Sequence, residues 1–299
     1  MNAATRPDPL LRAMPAIFVL IWSTGFIVAR YGMPHAPPMK FLAWRYLLSV
    51  LCFVAWALAA RAVWPRDRRQ LAHLAVTGVL MHAGYLGGVW AAVKAGMGAG
   101  LAALLVGLQP VLTAVWVSSR GGTVAPRQWA GLALGLAGLL LVVWQKLGLG
   151  EVGLLNLTFA VIALLAITTG TLYQKRFVSP CDVRTANLVQ LAAALAVTLP
   201  LALLESESMR WTLPGGAING ELAGAMAWSV LGLTLGGSSL LYLLIQRGAA
   251  TTVTSLMYLV PPSTACMAWV LFNEPITLLI MTGMALTAVG VSLVVRSPR

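Results

Sequence analysis

The chain has 299 residues, of which 59% are hydrophobic and 9% charged, whereas soluble domains carry about 25% charged residues. That composition excludes a soluble enzyme and describes an integral membrane protein. A formal net charge of +12 would suggest nucleic acid in a soluble chain, but here the basic residues stand singly or in small groups between apolar runs. They orient spans in a lipid bilayer, and no nucleic-acid partner is expected.

Hydropathy over windows of about 19 residues predicts ten helices and an all-α integral membrane fold. The first five run roughly over 14–33, 39–60, 71–93, 98–119 and 127–145, and the second five roughly over 152–174, 185–204, 221–245, 249–272 and 276–295. Residues 1–13 form a cytoplasmic tail. Arg6 and Arg12 precede an apolar run in the manner of a signal peptide, but no small-residue cleavage site follows, so the run is read as a retained first helix. With the N-terminus inside, fourteen of the twenty basic residues fall on the cytoplasmic side. Both termini are therefore expected in the cytoplasm.

The halves repeat each other. Gly131 to Val143 reads GLALGLAGLLLVV and Gly283 to Val295 reads GMALTAVGVSLVV, and a slightly smaller offset lays Ser23-Thr24-Gly25 on Thr168-Thr169-Gly170. The organisation is a first five-helix repeat over 14–145 and a second over 146–299. Five helices is an odd number, so the second copy enters the membrane in the opposite sense, which gives an inverted repeat and two equivalent packings, one open to each side. Glycines 131, 135 and 138 on the fifth helix, and 283 and 290 on the tenth, suit those helices to hold each half together as scaffold. The outer loop near Glu205 to Gly220 is read as a surface connection.

Candidate substrate contacts are uncharged and rich in aromatic rings. The first helix offers Trp22 and Ser23, and the third His82, Tyr85 and Trp90. Gln109, beside Pro110 in the fourth, serves either a helix-to-helix hydrogen bond or a substrate. The sixth carries Thr169 and Tyr173. On the eighth, Thr234, Ser238, Tyr242 and Gln246 recur every four residues and so share one face. Interhelical bonding and a place in the cavity are both open for Thr234 and Ser238, and Ser238 and Tyr242 are taken as site residues. Ser255 and Tyr258 precede Pro261-Pro262 in the ninth, where proline frees backbone carbonyls, a feature tolerated only against protein or a water-filled cavity. The cavity is expected between helices one, three, four, six, eight and nine.

No aspartate or glutamate falls near the middle of a predicted span, which excludes a proton or metal relay on membrane carboxylates. Arg45 and Lys94 are read as lying near outer ends, free to snorkel, which argues against strongly anionic substrates. Nor is an enzyme expected. His35, His73 and His82 lack ligand spacing, no acidic pair lies in a span, and Cys52, Cys181 and Cys266 are isolated. Neither cofactor nor metal is called for.

The duplicated unit, the mid-helix prolines Pro110 and Pro261, the short turn after each and the glycine-spaced last helix together resemble the drug/metabolite transporter superfamily, in its ten-helix EamA-type branch. In the second copy the turn also has the branch's glutamate, in Phe272-Asn273-Glu274-Pro275, whereas the first reads Ser118-Ser119-Arg120-Gly121 without an acid. A lining without charges further resembles the YddG-type aromatic amino acid exporters. That resemblance implies a monomeric inner-membrane exporter of small net-neutral metabolites, most of all aromatic amino acids, working by alternating access. The alternative with the same fold exports hydrophobic drugs or nucleobase-like metabolites. Facilitated diffusion and proton antiport through His82 both fit.

Overall fold

Apolar runs of about 20 residues, each closed by proline, glycine or a capping acid, leave the chain little choice but helix, because in lipid every backbone polar group must be satisfied within the segment. A computed structural model describes residues 9–121, 125–148, 150–237, 240 and 259–295. It shows ten helical spans: Pro9–Gly32, Pro38–Ala59, Arg68–Lys94, a fourth made of Ala99–Val106 and Gln109–Ser119, Pro126–Gly148, Leu154–Phe177, Val183–Leu204, an eighth beginning at Gly220, Val260–Phe272 and Leu278–Val295. Among the described residues, six of them are long and apolar enough to cross a membrane on those grounds alone. Starts are marked as the sequence suggests. The Asp67 and Asp182 side chains accept from the backbone N–H of Arg69 and Arg184 at the heads of the third and seventh spans, and Asn219 accepts from Leu222 at the head of the eighth, each filling a donor the helix leaves open.

Two spans change winding at corresponding places. The third passes through a π-helical stretch at Val79–Gly84 and the eighth through one at Trp228–Gly237, which coincide at the repeat offset of roughly 150. Neither contains a proline, and such π-segments gather at functional sites.

The fifth and tenth spans pack together more closely than any glycine-free pair could. A Cβ on Gly138 would run into the Gly283 carbonyl, and one on Gly290 into the backbone of Gly131 and Gly135. Since Gly131 corresponds to Gly283 and Gly138 to Gly290, each contact is the image of the other about a twofold axis, and the two helices are antiparallel. Thr287, which corresponds to Gly135, donates to the Gly283 carbonyl at 2.9 Å. These glycines thus join one half to the other, which corrects the expectation that they hold each half together.

The fourth span breaks at Gly107 and Leu108, and Gly107 lies against the Pro261 ring of the ninth. The two proline-bearing segments therefore meet. Trp56, Trp64, Trp129 and Trp144 are exposed, where rings at the lipid–water boundary belong.

Candidate functional site

A cleft opens where the two π-helical stretches face each other. Trp22, Gly25 and Phe26 of the first span, Arg45 of the second, Met81, His82, Tyr85, Leu86, Val89 and Trp90 of the third, Ile167 of the sixth, and Leu233 and Thr234 of the eighth enclose about 710 Å³ of space free of protein atoms, its open mouth included. Ligand clefts are mostly apolar with a few placed polar groups, and this lining has that character. Trp90 is held rigidly: it is 1% exposed and stacks on Phe41 of the second span with ring centroids 4.3 Å apart. Trp22 packs on Phe18 at 5.4 Å. The Tyr46 hydroxyl donates to the His82 carbonyl at 2.8 Å, tying down the stretch whose winding is irregular. The His82 ring faces Gln190 of the seventh span.

Of the residues singled out from sequence, the structure places Trp22, His82, Tyr85 and Trp90 on this cleft. Ser23 is fully buried behind it, its hydroxyl donating to the Val19 carbonyl at 2.7 Å. Thr169 points outward and donates to its own helix at Leu165, because Thr168, one position and about 100° earlier on the helix, takes the interior face. Gln109 donates to Thr171 of the sixth span at 2.9 Å, which is the helix-to-helix alternative. Tyr173 lies near the C-terminal end of that span, its hydroxyl within 2.8 Å of His73 Nδ1 and its ring packed on Phe177. Ser238, Tyr242, Ser255 and Tyr258 lie outside the described residues. The fourth span contributes nothing to the cleft among the described residues, contrary to expectation, and the second contributes the residue that matters most.

That residue is Arg45. It does not snorkel. Seven residues into the second span, about 10 Å along the helix, it is 6% exposed, with Nε and Nη2 donating to the Thr234 hydroxyl at 3.3 and 3.2 Å. Thr234 in turn donates to the Ser229 carbonyl five residues back at 2.8 Å, a bond that the π-winding permits. An arginine inside a span costs about 2.5–3.5 kcal/mol on insertion scales and as a rule faces a functional cavity. With Arg45 in the lining, the argument against anionic groups on the substrate falls. Sequence reasoning missed it because a residue a third of the way along a span reads as an end residue, and because Thr234 is 189 positions away.

The bundle is tied shut at the face that the basic residues assign to the outside. Glu205 accepts from the Met39 and Lys40 backbone at 3.0 and 2.8 Å, Lys94 pairs with Glu207 at 2.8 Å, and His35 meets Glu221 at 2.7 Å. The loop after the seventh span is thus a strap as well as a surface connection. Glu274 accepts from the Ala99 N–H at 3.0 Å, so the glutamate of the second copy caps a helix of the first. Lys146 pairs with Glu151 at 2.7 Å. Away from this face, Asp182 has its carboxyl held below the ordinary aspartate range, first by the side-chain hydrogen bond from Arg184. Among the described residues no cluster of histidine, cysteine or carboxylate side chains could hold a metal ion.

The model of the EamA-like transporter family matches this sequence twice, over residues 13–144 and 154–296. The chain belongs to that family. It is a multi-pass membrane transporter and not an enzyme. Among its relatives, the uncharacterized transporter YvbV of Bacillus subtilis is 24% identical over 93% of this chain and 89% of its own length. A protein of Salmonella typhimurium named "probable amino-acid metabolite efflux pump" is 26% identical over 92% and 91%. The inner membrane transporter YedA of Escherichia coli is 29% identical over 45% of this chain and 43% of its own. One crystal structure at 18% identity superposes with a TM-score of 0.62 over 94% of both chains, which speaks to the fold alone.

Proposed function

We propose that this EamA-family transporter exports amino acids or close derivatives across the bacterial inner membrane, with a preference for aromatic ones, in the manner of the YddG-type exporters. The observation that carries the reading is the wall of Trp22, Phe26, Tyr85 and Trp90 around a cleft between spans of both copies. Offset or edge-on contact between rings is worth about 0.5–1.5 kcal/mol beyond the area buried, and Trp90 is preorganised for it by its stack on Phe41. The names carried by the Salmonella and Escherichia coli relatives, both "probable amino-acid metabolite efflux pump", support the amino-acid part. They leave the aromatic preference resting on the wall.

Transport proceeds by rocking the 14–145 half against the 146–299 half, with the antiparallel fifth and tenth spans as the fixed seam and the straps at the outer face as the gate. The twofold relation of the glycine contacts supports this, because exchanging the packings of equivalent halves reverses which face is open. In proteoliposomes loaded with unlabelled phenylalanine, labelled tryptophan accumulates by counterflow, and lipophilic cations and nucleobases compete poorly. Vesicles that move no amino acid, or that are emptied by those competitors first, would overturn the proposal.

A further inference from the structure

We infer that Arg45, seated on Thr234, is the anchor for a single carboxylate on the transported molecule, so that the charge missing from the protein is brought by the substrate. The inference deepens the proposed function and rests on its cleft, but not on its aromatic preference.

Three observations converge. The first is the buried guanidinium itself, which has five N–H donors. Among the described residues only Thr234 receives any of them. The geometry leaves the rest of the planar fork beside the cleft that Arg45 lines.

The second is a census of acids. The chain has eight, and the seven among the described residues are all engaged elsewhere. Glu151, Glu207, Glu221 and Glu274 pair with Lys146, Lys94, His35 and the Ala99 N–H. Glu205 serves the head of the second span, and Asp67 and Asp182 cap helices. Asp8 precedes the first span in the sequence and lies outside the described residues. Residues 238–258, outside the described part of the eighth and ninth spans, contain no acid. Among the described residues no side-chain carboxylate neutralises Arg45. A buried charge left unpaired is costly, and an anionic ligand group removes that cost as it binds.

The third comes from the repeat. The offset of 145 that lays Ser23-Thr24-Gly25 on Thr168-Thr169-Gly170 lays Arg45 on Gln190. Arg45 is the eighth residue of the second span and Gln190 the eighth of the seventh. Each is buried, and each packs beside the π-helical stretch of the other half: Arg45 on Thr234, Gln190 on Gly78 and facing His82. The same position in the same packing is thus filled by a neutral amide in one copy and a cation in the other. Packing needs a long polar side chain there. It does not need the charge.

A guanidinium matches a carboxylate in two parallel N–H···O bonds, and the aromatic wall lies beside it for the remainder of the molecule. Among the described residues no acidic side chain lines the cleft to hold an ammonium group. The cleft therefore discriminates on the carboxylate, and a substrate's amino group adds little.

The test uses purified full-length protein in detergent and binding measured by isothermal calorimetry, with three probes of one shape: tryptophan, tryptophan amide, which lacks the carboxylate, and indole-3-propionate, which lacks the ammonium. Tryptophan and indole-3-propionate are expected to bind within a few-fold of each other, and the amide at least tenfold more weakly. Arg45→Gln, the residue tolerated at the equivalent position, is expected to keep its melting temperature and to bring all three probes to the amide's level, with Arg45→Lys in between. Equal binding of the amide and tryptophan, unchanged binding in Arg45→Gln, or no carboxylate bound by the unsubstituted protein would each overturn the anchor. Arg45-dependent binding of aliphatic carboxylates alone, such as leucine or pyruvate, would uphold the anchor and overturn the aromatic preference. If Arg45→Gln unfolds, the order of the three probes on the unsubstituted protein and on Arg45→Lys decides the matter.

Discussion

Replacing Glu274 by glutamine should loosen the outer face without disturbing the helices. The side chain is 12% exposed and reaches from the turn before the tenth span to the N–H of Ala99 at the head of the fourth, 3.0 Å away. Glutamine keeps the length and the acceptor oxygen and loses only the charge. A charge-assisted hydrogen bond is worth about 1.5–3 kcal/mol against about 0.5–1.5 for a neutral one, and a negative charge at a helix N-terminus adds about 0.3–1 kcal/mol. The contact with Arg30, at 4.0 Å and with Arg30 38% exposed, adds almost nothing in water. The loss is about 1–2 kcal/mol from the closed packing, or roughly a five- to thirtyfold rise in the open population. Spin labels at Pro34 and Leu278, both exposed at that face, in a protein whose three cysteines are replaced, report the change by pulsed electron resonance in lipid nanodiscs. A second, longer distance should grow in the Glu274→Gln protein. Identical distance distributions would refute the assignment of Glu274 to the gate.

Three other outcomes follow from particular contacts. Gly138→Ala and Gly290→Ala should each destabilise the protein by about 1–3 kcal/mol, since backbone on the facing helix blocks the new methyl group, whereas Gly148→Ala, with open space around it, should leave the melting temperature in detergent unchanged. Gln109→Leu should cost about 0.5–1.5 kcal/mol for its bond to Thr171 and leave the apparent KM for tryptophan as it was, and a raised KM would return Gln109 to the site. Because the Asp182 carboxyl titrates below its unfolded range, its contribution is present above that range and fades as pH falls through the folded value. The melting-temperature gap between the parent and Asp182→Asn should therefore narrow on acidification, and a gap that widens would contradict the Arg184 pairing.

What could be read from the sequence was whatever repeats along the chain. Ten spans follow from apolar runs of the right length, and the duplication from the glycines of GLALGLAGLLLVV and GMALTAVGVSLVV. Which seam the glycines built did not follow, because a small-residue stripe says that a helix is approached closely without naming its neighbour. Trp22, His82, Tyr85 and Trp90 could be picked out as aromatic or polar groups at mid-span. Thr169 could not be told from Thr168, since one step on a helix turns a side chain from interior to lipid. The π-helical stretches left no mark, having neither proline nor charge. Arg45 was hidden by hydropathy averaging, yet two signals for it lay in the sequence: the offset that sets it over Gln190, and the lack of any acid near the middle of a span to pair with it.

The central claim is that amino acids pass through the cleft between the two π-helical stretches. Gly25 lies in its wall with ordinary room beside it, the nearest atom to an added Cβ being Leu233 Cδ2 at 3.8 Å. Gly25→Phe therefore fills the cleft while leaving the helix seams intact, and Gly148→Phe places the same ring in open space as the control. Tryptophan counterflow into proteoliposomes is the measurement. Transport lost in Gly25→Phe, with a monodisperse protein and with Gly148→Phe still active, is the predicted result. A plugged protein that moves tryptophan at the parent's rate would contradict it.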